Sequence, residues 1–297
     1  MITYMKYLIS SGRWRWLLGS LALIIVMAPR VAHVYVNSLW FGSLGYASVY
    51  WSFLWIKSGL FVGFFGLTLL ILRGAFWALE RAYAGYHLEG AITRFDNQLV
   101  EVEPARFIKP LAWGVSLVWG ILIGLVMVAR WELFVLYFNG SPGNEQDPIF
   151  GRPLGFFLFT WPVYQMLASW LSGLAIIIFL GTLLYGFFAF ISHMPAILKN
   201  EALRVATVAC SLALVCLLGV YAWRFHLGRF SQLWRERDIF TGVGYTEAHI
   251  LLPGLSLMAF VLLGAAGIAV LNAMLWRRGY GPGQKRPRPE PPKNRAS

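Results

Sequence analysis

Three histidines, His33, His226 and His249, are the side chains best suited to hold a metal, a haem or a chlorophyll-type pigment, because imidazole nitrogen ligates all three. Bis-histidine ligation needs two of them at one depth on facing helices, and the plainer reading is three interfacial histidines. Glu145 and Asp147 offer carboxylate oxygens to a cation, although their spacing is not that of a Ca²⁺ loop. Arg30, which follows Pro29, and Lys57 stand inside apolar runs, where a charge is a functional candidate by default. Both lie near enough to the end of a run to snorkel, or to pair with Glu132, Glu145 or Asp147. No carboxylate stands near the midpoint of a run, which argues against a proton- or sodium-coupled pump. Cys210 and Cys216 are six residues apart, point to nearly opposite sides of a helix and form no CxxC pair. Tyr245, Glu247 and His249 alternate, and no Ser/His/Asp or Cys/His arrangement accompanies them. No catalytic residue and no cofactor is assigned.

The elements that must position these residues follow from composition. Of 297 residues, 58% are hydrophobic and only 13% charged, with 14 Trp, 13 Tyr and 22 Phe; the mean hydropathy is +0.62. Soluble domains carry about 25% charge, so a water-facing globule is excluded, and so is a disordered chain. The net charge of +12 fits membrane topology and attraction to anionic headgroups better than nucleic-acid binding.

A helix crosses a bilayer with about 20 apolar residues. Six runs qualify: about 17–36, 51–79, 111–129, 161–191, 205–221 and 251–275. With the N-terminus inside, the outer side keeps Arg30, Lys57, Arg130, Arg152, Arg224, Arg229, Arg235 and Arg237. The rest of the 25 Lys and Arg fall inside, which favours two cytoplasmic termini. Trp14, Trp16, Trp77, Trp113 and Trp276 mark the inner interface; Trp40, Trp51, Trp55, Trp131, Trp161 and Trp223 mark the outer one. Trp119 and Trp170 sit within spans as packing residues. Ala112, Ser116, Gly120 and Gly124 recur at every fourth position of the third span, a small-residue stripe that lets a neighbouring backbone approach, in the bundle or in a partner.

Between the spans, 80–109 mixes both signs and has room for one short surface helix. The segment 131–160 is rich in turn residues in its first half. The stretch 226–247 reads as a short interfacial helix with Phe230, Leu233 and Trp234 underneath, and 37–50 as a segment along the outer surface. The domains expected are a transmembrane helical domain, 1–276, and a disordered, basic, Pro-rich cytoplasmic tail, 277–297.

Three stretches, WFGSLGYASVYW from Trp40, DPIFGRPLGFFLFTWPVYQ from Asp147 and GVGYTEAHILLP from Gly242, occur in an order and at distances that resemble Uncharacterised Protein Family 0182. These are large polytopic membrane proteins of bacteria and archaea, and the likeness reaches to about Leu275. The resemblance implies a further helix and a large extracytoplasmic domain that this sequence does not contain, so the chain looks like the membrane part alone. Pro153 and Phe157 stand where members of the family usually carry Asp-rich or Tyr-containing text.

Taken together, the expected fold is all-α, a polytopic transmembrane bundle of about six spans with short interfacial outer helices. The expected function is a non-enzymatic membrane scaffold or accessory subunit in a bacterial inner membrane. Its partners would be anionic lipid and other membrane subunits, not nucleic acid. The alternatives are a transporter or channel, with Arg30, Lys57 and the acidic loop at a pore mouth, and a pigment- or haem-carrying subunit.

Overall fold

The computed structural model describes residues 13–83, 91–95, 98–102, 104–141, 143, 145–192, 199–234 and 242–278. The tail expected to be disordered lies, beyond Arg278, outside the described residues. The chain divides into two compact units, Met1–Leu60 and Phe61–Ser297, with the division inside helix α2.

In the first unit, α1 spans Arg13–Ser43 and carries Pro29 within it; α2 spans Ala47–Tyr83. The turn between them is a Schellman cap. Tyr46 N–H donates to Phe41 O at 2.9 Å, Gly45 N–H donates to Gly42 O at 3.1 Å, and Gly45 holds φ +80°. Glycine fits there because a Cβ is strained at positive φ. The hairpin is then locked by the Tyr50 hydroxyl donating to Val34 O (3.2 Å) and by Phe41 stacking on Tyr50 at 5.2 Å. The segment 37–50 is therefore not a surface strip, as expected, but the end of one helix, a tight turn and the start of the next. Gly45 ends α1 and lets the chain reverse.

In the second unit follow β1 (Ala91–Phe95), β2 (Gln98–Val102), α3 (Pro104–Ala129), α4 (Trp131–Asn139), α5 (Trp161–Ser192), α6 (Lys199–Gly228) and α7 (Leu252–Arg277). The strands pair antiparallel, Ala91 with Val102 and Phe95 with Gln98. This corrects the short helix expected in 80–109. Ile, Thr, Phe and Val dominate the two five-residue runs and favour a pleated backbone.

Helices α5, α6 and α7 pack as successive antiparallel neighbours. The α7 contact is made by small side chains: Ala259, Ala266, Ala269 and Ala273 are buried, and Asn272 Nδ2 donates to Ser211 Oγ of α6 at 3.0 Å. Without a hydrophobic driving force between helices in lipid, close approach and interhelical hydrogen bonds do this work. Helix α2 joins α5 through Trp170 Nε1, which donates to Thr68 Oγ1 at 2.9 Å in a buried contact. Buried Ser116, Ser172 and Thr182 return their hydroxyl protons to carbonyls four residues back, so none is left unpaired in an apolar setting.

The outside of these helices is apolar. Leu70, Phe260, Leu257 and Ile268 are each about two-thirds exposed or more, an arrangement that suits hydrocarbon and not water. Among the described residues five helical segments are long and apolar enough to cross a membrane: Ala47–Tyr83, Ile108–Ala129, Phe156–Phe188, Leu203–Trp234 and Glu247–Arg277. They correspond to five of the six expected spans, the one expected over 161–191 ending at Phe188. The remaining one falls in α1, part of whose side chains lie outside the described residues.

Candidate functional site

One end of the second unit gathers the start of α5, the end of α6 and the start of α7. Both α5 and α7 open with a π turn, Phe156–Thr160 and Glu247–Leu251. In each the closing hydrogen bond reaches back five residues: Trp161 N–H donates to Phe156 O, and Leu252 N–H donates to Glu247 O.

The loop before the first π turn is tightly folded. Asp147 Oδ2 accepts the N–H groups of Ile149 (3.0 Å) and Phe150 (2.7 Å), and Asp147 N–H donates to Arg152 O at 2.8 Å. Leu154 N–H donates to Glu145 O at 3.0 Å. This turn directs Phe150 against Phe230, 4.9 Å between ring centroids. Phe230 belongs to a short 3₁₀ turn, Phe230–Trp234, and is 3% exposed. Phe156 and Phe157 meet it edge to face at 5.3 and 5.9 Å. Trp161, Tyr164, Trp223 and Leu233 pack around this core, and Trp161 Nε1 donates to Leu227 O, tying α5 to α6. Edge-to-face pairs add about 0.5–1.5 kcal/mol each beyond burial, so the loop is held as firmly as a helix contact.

Three basic side chains surround Phe230. The Arg152 guanidinium lies 4.7 Å above the Phe156 ring and 5.9 Å from that of Phe230. Arg229 lies 5.8 Å from the Phe230 ring and donates to Ser256 Oγ at 2.9 Å. The His226 ring is 6.1 Å from that of Phe230.

The candidates from sequence are distributed as follows. His33 contacts Asn37 at 3.0 Å on α1. His226 contacts Arg229 at 3.3 Å, while His249 stacks on Tyr245 and faces its carbonyl at 3.0 Å. Among the described residues no three His, Cys, Asp or Glu side chains converge as metal ligands. Asp147 is buried and its carboxylate serves the turn; Glu145 is exposed. Arg30 is exposed on α1, and Lys57 is half-buried on α2 with an interaction of its own. Ala112, Ser116, Gly120 and Gly124 are all buried, the last two against the rings of Phe65 and Phe61 of α2.

Two features escaped the sequence reading. Arg73 and Glu80, two turns apart on α2, form a part-buried ion pair at 3.5 Å, with Arg73 also over the Trp113 ring at 4.4 Å. Their spacing put them on one helix face, and that signal was available. Near them Tyr83 and Tyr185 stack at 6.1 Å. Among the described residues the buried Tyr83 hydroxyl has no hydrogen-bond partner, and Glu80 lies beside the Tyr185 hydroxyl. The second feature is the basic set around Phe230, whose members are far apart in sequence.

An apolar-faced bundle with a structured end of this kind defines a multi-pass helical membrane protein. The pattern of the Uncharacterised protein family (UPF0182) matches residues 14–283, and the chain belongs to that family. It is 31% identical over 268 residues to UPF0182 proteins of Mycobacterium bovis (strain BCG / Pasteur 1173P2) and Mycobacterium tuberculosis (strain ATCC 25618 / H37Rv), covering 84% of this chain and 25% of each relative. A UPF0182 protein of Cupriavidus necator is 26% identical over 276 residues, 88% of this chain and 28% of the relative. The chain thus spans about a quarter of the length of the curated relatives it matches. No solved structure matches it.

Proposed function

We propose that this chain is a non-enzymatic scaffold or accessory part of a larger membrane assembly in a bacterial inner membrane. The supporting observation is the aromatic platform at the π-turn end. Its loops are folded onto the bundle, yet apolar Ile149, Leu154, Leu158 and Trp234 remain 42–53% exposed beside it. Ordered loops that expose apolar groups are suited to receiving another structured surface. The occupant proposed is the part of the longer relatives that this chain does not cover, which the family resemblance implies is extracytoplasmic, in the same polypeptide or as a separate chain. The bias of Lys and Arg supports cytoplasmic termini, with the platform on the opposite side.

The test is site-specific photo-crosslinking in native membranes, with the probe at Leu154 and, as a lipid-facing reference, at Leu70. A discrete adduct with a family extramembrane segment is expected from Leu154 only. Lipid adducts alone at both positions would refute the docking role. A solute flux that depends on the chain would favour the transporter reading instead.

A further inference from the structure

We infer that Arg152 and Arg229, with His226, form a binding site for the phosphate of an anionic phospholipid at the π-turn end. This site shares Leu154, Leu158 and Trp234 with the docking surface proposed above, so the two occupants would compete there; its test reads lipid retention and does not depend on that docking.

Arg229 is held in place by neutral acceptors. Its Nη1 donates to Ser256 Oγ (2.9 Å), its Nη2 to His226 Nε2 (3.3 Å) and its Nε to His226 O (3.3 Å). Arginine is always a donor, so His226 accepts through Nε2 and is neutral in this arrangement. Two of the five guanidinium N–H groups remain for a ligand. Nothing in that set cancels the charge. Arg152 rests on the faces of Phe156 and Phe230, and among the described residues its N–H groups donate to no acceptor.

Both guanidinium groups flank one ring, so they lie within about 12 Å of each other. That separation is comparable to the Debye length of about 8 Å at physiological salt, and an apolar wall screens still less. Among the described residues neither arginine has a carboxylate within ion-pair distance. Asp147, on the same loop as Arg152, has committed its carboxylate to two backbone N–H groups. Two cations without a carboxylate partner among the described residues, on one aromatic base, raise the positive potential there, and arginine favours phosphate oxygens through paired donors.

The depth selects the source of that phosphate. Trp161 and Trp223 belong to the same aromatic cluster, and tryptophan concentrates at the headgroup level of a bilayer. Phe157, which packs on Phe230, also walls a groove of about 360 Å³ with Leu154, Leu158, Leu233 and Trp234, in which Asp147 is the one charged group among the described residues and has its carboxylate turned to two backbone N–H groups. A lipid with its phosphate at the arginines has a place there for an acyl chain. A net negative headgroup is favoured over a zwitterionic one because it brings no ammonium to be repelled by the arginines or to compete with them for the phosphate.

The experiment uses the full chain in detergent, with native mass spectrometry reading retention of phosphatidylglycerol against phosphatidylcholine of the same acyl chains. Wild type should prefer phosphatidylglycerol. A charge at a lipid surface contributes roughly fivefold, so Arg152→Gln should lose about fivefold and Arg152→Gln/Arg229→Gln about thirtyfold of that preference. Arg130→Gln/Arg224→Gln removes two charges from the same expected side and should leave the preference unchanged. If the Arg152/Arg229 pair does not fold, the single Arg152→Gln variant decides the matter, since its side chain touches only ring faces. Absence of a preference in wild type, or an equal loss in the control pair, overturns the site. Stabilisation by inorganic phosphate alone, matching that by phosphatidylglycerol, overturns the lipid assignment in favour of a soluble anion.

Discussion

Gly124 of α3 is the most demanding position in the small-residue stripe. A Cβ placed there would lie 2.8 Å from both Cδ2 and Cε2 of Phe61 and 3.4 Å from its carbonyl oxygen. Ordinary contact begins near the last of these distances, so Gly124→Ala forces α2 and α3 apart by about half an ångström. A gap of 0.5–1 Å forfeits a quarter to a half of the dispersion energy along the contact. The ring cannot turn away freely, because Phe61 stacks on Phe65 at 5.9 Å with planes 4° apart, and Phe65 itself closes over Gly120. Overpacking of this kind costs about 1–3 kcal/mol. Gly114 on the same helix meets nothing within 4 Å, and there alanine gains up to about 1 kcal/mol of helix propensity. Thermal unfolding in a mild detergent should therefore move down by several degrees for Gly124→Ala and stay level or rise for Gly114→Ala. A Gly124→Ala protein that unfolds with wild type would refute the reasoning that close approach of these two helices holds the bundle.

Three further outcomes are expected. Trp170→Phe and Thr68→Val should each cost about 1–2 kcal/mol by stranding a buried partner, whereas the double variant should cost less than their sum; strict additivity in detergent unfolding would mean the bond contributes nothing. Asp147→Ala should free the Ile149 and Phe150 N–H groups and make the loop a protease-sensitive segment, while Asp147→Asn, which keeps an acceptor oxygen, should resist cleavage; equal digestion of the two would remove the turn from the argument. Reporter fusions after Gly143 and at the C-terminus should report opposite sides of the membrane, and the same side for both would sink the six-span topology.

The apolar runs made the helices legible because lipid imposes one requirement on every span. Helix α5 begins at Trp161 and α7 at Leu252, within a residue of the expected starts at Trp161 and Leu251. Where charge entered, the reading weakened. Arg73 and Glu80 neutralise each other on one face of α2, but a hydropathy count treats them as two separate penalties near the end of a run. The β1–β2 pair was hidden because its five-residue strands carry the same mixed signs as a solvated loop. At the candidate site, Phe230 was recognised as the apolar underside of its segment. Its partners Phe150, Phe156 and Phe157 come from a loop some 70 residues earlier, and no local pattern announces such a meeting. The basic set around that ring was equally invisible, since only the fold brings Arg152 to Arg229.

The two π turns carry a consequence for how this end of the protein tolerates change. A turn closed over five residues stores one residue more than an α turn, so the chain ahead of it enters rotated by about 100° relative to an uninterrupted helix. For α5 that rotation aims Phe156 and Phe157 at Phe230. Deleting one residue from 156–160 would let the helix run on as α, with all its hydrogen bonds made, while turning the whole 145–154 loop off its aromatic seat. The same stored residue gives each helix slack: a π turn can migrate along the chain by exchanging one hydrogen bond at a time, without unwinding the span. A pull or push arriving at the loops would then be taken up as a shift of register in α5 and α7.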